Sequence, residues 1–146
     1  MTVKIQFAQL DQLNDVYEFE RAYMVEHEPD QVAKWEAAKD HTLGFLQDHL
    51  ETMVVAVEGG QVAGYGYWSY HEESPCIFSV YVGPAFRGQG IAPKLLQAME
   101  DQIKDYGHQQ VTLSTLETNP AQGLFVRMNY KEVKRQDGWI HYEKQV

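Results

Sequence analysis

The sequence has a single cysteine, Cys76, among its 146 residues. That excludes an intrachain disulfide framework and fits a reducing compartment. No Cys/His cluster has metal-ligand spacing, so no metal site is expected. No apolar run reaches the ~18 residues that a membrane-spanning helix needs. The N-terminus lacks the basic stretch, apolar stretch and small-residue cleavage site of a secretory signal, which makes the cytoplasm the expected compartment. Basic residues are scarce, with 12 Lys and Arg against 21 Asp and Glu, for a net charge of −9. Such a chain repels phosphate backbones and anionic lipid, so neither nucleic acid nor a membrane is an expected partner. It attracts cations, amines included, although acidity also serves solubility alone. Repeats, low-complexity tracts and linkers are absent too, which leaves one expected domain over 1–146.

The periodicities that are present describe a mixed α/β chain. Val3, Ile5 and Phe7 alternate with polar residues as a short strand. From about Asp11, Leu13, Val16, Tyr17, Phe19 and Glu20 carry helical spacing to roughly Glu26. Pro29 breaks that helix, and Asp30 is placed to cap a second one running to about Leu50. Met53–Val57 is a continuous apolar strand, Gly59-Gly60 a hairpin turn, and Gln61–Tyr70 the returning arm. A connection at His71–Pro75 leads to a strand over Ile77–Val82. An amphipathic helix from Gly90 to about Tyr106 follows, with Leu95, Leu96, Met99 and Ile103 on one face and Gly107 ending it. Val111, Leu113 and Thr115 form a strand, Asn119-Pro120 opens a short helix to Met128, and two strands close the chain through Gln136-Asp137-Gly138. The order β-α-α-β-β-β-α-β-α-β-β predicts an α/β sandwich of about seven strands and about four helices.

Between the strand at Ile77–Val82 and the next helix lies Gly83-Pro84-Ala85-Phe86-Arg87-Gly88-Gln89-Gly90. A helix N-terminus presents unpaired N–H groups and partial positive charge, which suits an anion. Gly88 and Gly90 permit a tight turn and close approach of backbone to a phosphate. Pro93 falls in the first helical turn, where its missing N–H costs little. The segment has no Gly-Lys-Ser/Thr ending of a nucleoside-triphosphate loop and no third glycine of a dinucleotide fold.

The run Val80 to Ala92, followed by Leu95-Leu96, resembles the signature of the GCN5-related N-acetyltransferase (GNAT) family, an Arg/Gln-x-x-Gly-x-Gly/Ala pattern after a strand. The order of elements is similar to that family's fold, in which a mostly antiparallel sheet splays between its fourth and fifth strands. The resemblance implies acetyl-CoA as co-substrate and an N-acetyltransferase that moves an acetyl group to a primary amine by direct attack in a ternary complex. It implies that Val80, Tyr81 and Val82 meet the pantetheine arm through their backbone, and that a bulge in their strand aims an N–H at the thioester oxygen. It further implies that Arg87, Gly88, Gln89, Gly90, Ile91 and Ala92 hold the pyrophosphate. Monomer and homodimer are both compatible with it.

Asn119 to Tyr130 resembles the family's second signature, with Asn119 directed to the pantetheine arm. Phe125 stands where many members place a tyrosine that protonates the departing thiolate, and phenylalanine has no proton to give. Tyr81 is one candidate for that acid. The position of the base found in some relatives holds Cys76, which reads as a small buried residue. Glu72 and Glu73 are the candidate bases, acting through water. The acceptor wall is expected at Glu26-His27-Glu28-Pro29-Asp30, with Tyr23, Glu26 and Glu28 as candidate acceptor-binding residues beside aromatic rings. Two other readings stay open: a non-catalytic acyl-CoA-binding domain of this fold, and a partner-binding module that lost the cofactor.

Overall fold

The computed structural model describes residues 2–146. Its strands are β1 (Val3–Phe7), β2 (Met53–Glu58), β3 (Gln61–His71), β4 (Ser74–Val82), β5 (Gln110–Leu116), β6 (Lys131–Gln136) and β7 (Trp139–Gln145). They form a seven-stranded sheet in the order β1-β2-β3-β4-β5-β7-β6, antiparallel throughout except for parallel β4 and β5. The helices are α1 (Leu13–His27), α2 (Val32–Ala37), α3 (Lys39–Asp48), α4 (Ile91–Asp105) and α5 (Gln122–Arg127). Among the described residues no helix is long and apolar enough to cross a membrane.

The continuous apolar run of β2 follows from burial on both faces. Val54 and Ala56 join a core beneath α4 and α5, whereas Met53 and Val55 join a second core beneath α1 and α3. The crossover helix α4 buries Ile91, Leu95, Leu96, Met99 and Ile103 against the sheet. Glu100 lies on the same buried face because its carboxylate accepts from the Tyr130 hydroxyl at 2.6 Å and from Lys144 Nζ at 2.7 Å. A buried carboxylate needs such partners. Gly107, at φ 93°, ends α4 as expected: its N–H bonds Lys104 O, and His108 N–H bonds Ile103 O.

Two expectations change. The long second helix is divided at Ala38, whose φ of −98° and ψ of 23° interrupt the α geometry. Its N–H bonds Trp35 O three residues back, and Trp35 stacks on Tyr17 of α1 at 4.6 Å between ring centroids. The described residues thus hold five α-helices, in keeping with the about four expected, and Asp30 sits in a short 3-10 turn with Gln31, not Asp30, at the start of α2. The connection at His71–Pro75 is a two-residue turn. His71 pairs with Ser74, and Glu72 and Glu73 take φ of 50° and 68°. Both residues occupy a region that side chains disfavour, which is why the sequence carries no hairpin signal there.

The feature that shapes the site is the junction of β4 and β5. Their ladder consists of Cys76 opposite Thr112 and Ile77 opposite Leu113, after which the strands part. At the point of parting Trp68 faces Ile77 and Tyr67 faces Ser79, so Phe78 is an extra residue in β4. Such a bulge bends the strand that carries it. The sheet is therefore splayed between its fourth and fifth strands.

If α4 anchors the sheet through its buried stripe, Leu96→Ala should lower unfolding free energy by about 2–5 kcal/mol in urea titration. A loss well under 1 kcal/mol would show that this side chain is not packed as described.

Candidate functional site

The loop after β4 is built to leave donors free. Gly88 and Gly90 have φ of 82° and 75°, a left-handed geometry that only glycine adopts without strain. A Cβ at either position would meet nothing within 4 Å. It is therefore the backbone angle, not crowding within the chain, that requires glycine. Gly90 caps α4, no side chain bonds the free N–H groups there, and the first turn holds no acidic residue. With about half a positive charge at its N-terminus, α4 presents a site suited to an anion.

Arg87 ties this loop to α1. Its Nε donates to Val82 O at 3.0 Å and its Nη2 to Glu26 Oε1 at 3.1 Å, and the guanidinium lies 5.3 Å from the centre of the Tyr81 ring. The Tyr81 hydroxyl donates to the same Glu26 oxygen at 2.7 Å. That bond, with help from Arg87, holds the Glu26 carboxyl below its usual range, although desolvation opposes them. Burial and the neighbouring carboxylate push the Tyr81 hydroxyl up to about 12. A hydroxyl so held is a weak acid whose proton is already committed.

A cavity of about 470 Å³ runs from this loop, lined by Val80, Tyr81, Val82, Arg87, Gly88, Gly90, Ile91 and Ala92. Gln89 stands exposed at its rim within the same loop. A second cavity of about 190 Å³ fills the splay itself, between Phe78, Ser79 and Val80 of β4 and Ser114, Thr115 and Leu116 of β5. Tyr23, Val80, Asn119 and Phe125 line both, so the two spaces meet at these side chains. Asn119 accepts from Ala121 N–H at 2.9 Å and donates to Thr115 Oγ1 at 2.8 Å, which fixes the turn into α5. Phe125 is 4 % exposed and presents only a ring to the cavities.

The remaining candidates lie apart. Glu72 and Glu73 cap the β3–β4 hairpin and line neither cavity. Glu26 reaches the larger cavity but is engaged by Tyr81 and Arg87, and Glu28 is exposed before the 3-10 turn Pro29–Gln31. Burial raises the Cys76 thiol above its ordinary pKa, which keeps it protonated and unreactive at neutral pH. One residue of the splay escaped the sequence reading. Glu20, on α1, lines the smaller cavity, and its Oε1 accepts from the Tyr65 hydroxyl at 2.5 Å. The available signal was a carboxylate on the inward stripe of a helix, four residues after the buried Val16.

Comparison with known proteins agrees with this geometry. The family model described as the acetyltransferase (GNAT) family matches residues 11–130. The chain is 31% identical over 88 residues to a thialysine N-epsilon-acetyltransferase of Bos taurus, a match covering 56% of this chain and 52% of that protein. It thus spans about half the length of that relative. It is 26% identical over 116 residues to the ribosomal protein bS18 alanine N-acetyltransferase of Haemophilus influenzae, covering 80% of this chain and 77% of the other. Among solved structures, PaiA N-acetyltransferase of Thermoplasma acidophilum in complex with coenzyme A superposes over 100% of both chains, with a TM-score of 0.84 at 16% identity. YncA of Salmonella typhimurium with its cofactor acetyl-CoA covers 99% of this chain and 94% of its own, at 0.69 and 21%. At these identities the structural likenesses speak for the fold.

If the Glu26–Tyr81–Arg87 cluster is formed in solution, Tyr81→Phe should raise the Glu26 pKa, because the donor that favours its ionised form is lost. Carboxyl-detected NMR titration measures this. An unmoved Glu26 pKa would show that the hydrogen bond is not populated.

Proposed function

The chain belongs to the GNAT acetyltransferase family, and from that premise we propose that it binds acetyl-CoA and transfers the acetyl group to a primary amine. The observation that carries this reading is the continuity of two features. The glycine loop at the start of α4 suits a pyrophosphate, and its cavity meets the splay between β4 and β5. We read residues 1–146 as one catalytic domain working in the cytoplasm.

In this account the N–H groups of Gly88 to Ala92 receive the pyrophosphate, with Pro93 contributing none. Arg87 is held by Val82 and Glu26, so it shapes the loop and adds positive charge beside it. The edge of β4 from Val80 to Val82, which has no β5 partner, pairs with the pantetheine amides as an added strand would. The bulge at Phe78 turns backbone N–H groups toward the reacting carbonyl, where a donor stabilises developing negative charge. Asn119 and Phe125 close the space on the side of α5. The amine attacks the carbonyl carbon, the C–N bond forms as the C–S bond breaks, and the thiolate departs. Because a thiolate is a good leaving group, Phe125 in place of a proton donor slows this step without preventing it. Phe125 equally favours a second reading, in which the chain binds acetyl-CoA without turnover.

Titration calorimetry with acetyl-CoA and thiol release over a panel of amines (polyamines, amino acids, aminoglycosides, peptide N-termini and lysines) separate these readings. We expect binding, and faster thiol release with at least one amine. Binding without any amine-dependent release supports the second reading, and no binding at millimolar ligand contradicts both. Gly90→Glu should abolish binding by placing strain and negative charge at the anion site. Unchanged affinity in that variant would put the phosphates elsewhere.

A further inference from the structure

The splay contains a carboxylate, Glu20, that no cationic side chain among the described residues pairs with. Glu20 lines the smaller cavity with Tyr23, Tyr67, Phe78 and Trp139, and among the described residues no lysine or arginine lines that space. The groups that face it are Tyr23 on its own helix, Tyr65 and Tyr67 on β3, and Ser79 on β4, none of them cationic. Ser114, Thr115 and Asn119 complete the wall across the splay. Ser79 Oγ donates to the Tyr65 oxygen at 3.2 Å, and Tyr65 donates to Glu20 Oε1 at 2.5 Å. This relay fixes one carboxylate oxygen and leaves Oε2 without a described partner. A half-buried carboxylate beside aromatic faces is a receptor for a small cation.

We propose that Glu20 receives the acceptor's ammonium group in the splay and acts as the general base that deprotonates it. The proposal rests on the acetyltransferase reading given above. In the first step R–NH3+ gives one proton to Glu20, leaving a neutral amine and a carboxylic acid. The amine nitrogen then attacks the thioester carbonyl, and collapse of the adduct breaks the C–S bond. The proton lost by that nitrogen satisfies the leaving thiolate, and Glu20 returns its own proton to solvent through the cleft mouth. Net, R–NH3+ and acetyl-CoA give the acetamide, CoA-SH and one proton.

The position of Glu20 suits this role because the smaller cavity meets the cofactor-side cavity at Tyr23, Val80, Asn119 and Phe125. Burial also raises its pKa, against the opposing Tyr65 hydrogen bond, which makes the carboxylate a stronger base than an exposed glutamate. Tyr65, itself pushed well above its ordinary range by burial and by Glu20, stays a donor at working pH and acts as a positioning residue.

The test is the pH dependence of kcat/KM for an amine accepted by the wild-type chain, together with calorimetric affinity for acetyl-CoA. A bell is expected. Its acidic limb belongs to Glu20 and its alkaline limb to the amine, so only the alkaline limb moves when an amine of different pKa is used. Glu20→Gln should lower kcat by about 10²- to 10⁴-fold and remove the acidic limb, with acetyl-CoA affinity within about twofold of wild type. Tyr65→Phe should shift the acidic limb to higher pH, since it removes the bond that favours the ionised carboxylate. Wild-type kcat and pH profile in Glu20→Gln would overturn the proposal. If that variant does not fold, an unmoved acidic limb in Tyr65→Phe overturns it instead. A wild-type chain that binds acetyl-CoA yet acetylates no amine contradicts the transferase reading itself, and this role with it.

Discussion

A strand edge in the middle of a sheet must find partners for its backbone, and β4 beyond Ile77 has them on one side only. Two residue pairs join it to β5, and then the ladder stops. Backbone N–H and C=O groups left there are costly unless water or a ligand pairs them. The rest of the site follows from that break. The bulge at Phe78 starts it, α5 with Phe125 and the Asn119 turn floors it, and α1 covers it with Tyr23 and Glu20. An extended amide-bearing chain is the kind of ligand that such an edge recognises.

Charge is distributed along this opening in a consistent order. At one end stand the free N–H groups of α4, with no acidic residue in its first turn, and Glu26, a carboxylate that lines the same cavity, is bound by Arg87 and Tyr81. At the other end Glu20 lies among aromatic rings, and no lysine or arginine among the described residues lines its cavity. An anion is favoured at the first place and a cation at the second. A chain of net charge −9 adds a weak general preference for cationic acceptors.

Much of this was legible in the sequence where a local rule and the fold agree. The alternating β1, the apolar β2, the turns at Gly59-Gly60 and Asp137-Gly138 and the stripe of α4 all appear where expected. The glycine segment was legible because left-handed backbone at two positions before a helix leaves few residue choices. The Glu72–Glu73 turn was not, since neither residue favours the conformation that it adopts. The break at Ala38 was hidden for a related reason: alanine favours helix, so nothing in its identity signals the interrupted geometry that it adopts. Glu20 was passed over because helical spacing alone does not show which inward residue faces a core and which faces a cleft. Only the separation of β4 from β5, a long-range property, opens space beneath it.

The most direct test of the account is a backbone amide NMR titration of the wild-type chain with acetyl-CoA. The account predicts that the largest shifts fall on Gly88 to Ala92, apart from Pro93's missing amide next to them, and on the unpaired edge of β4 from Phe78 to Val82. Amides of β1 and β6 should stay in place. Large shifts confined to strands remote from the splay, with β4 and the start of α4 unmoved, would contradict it.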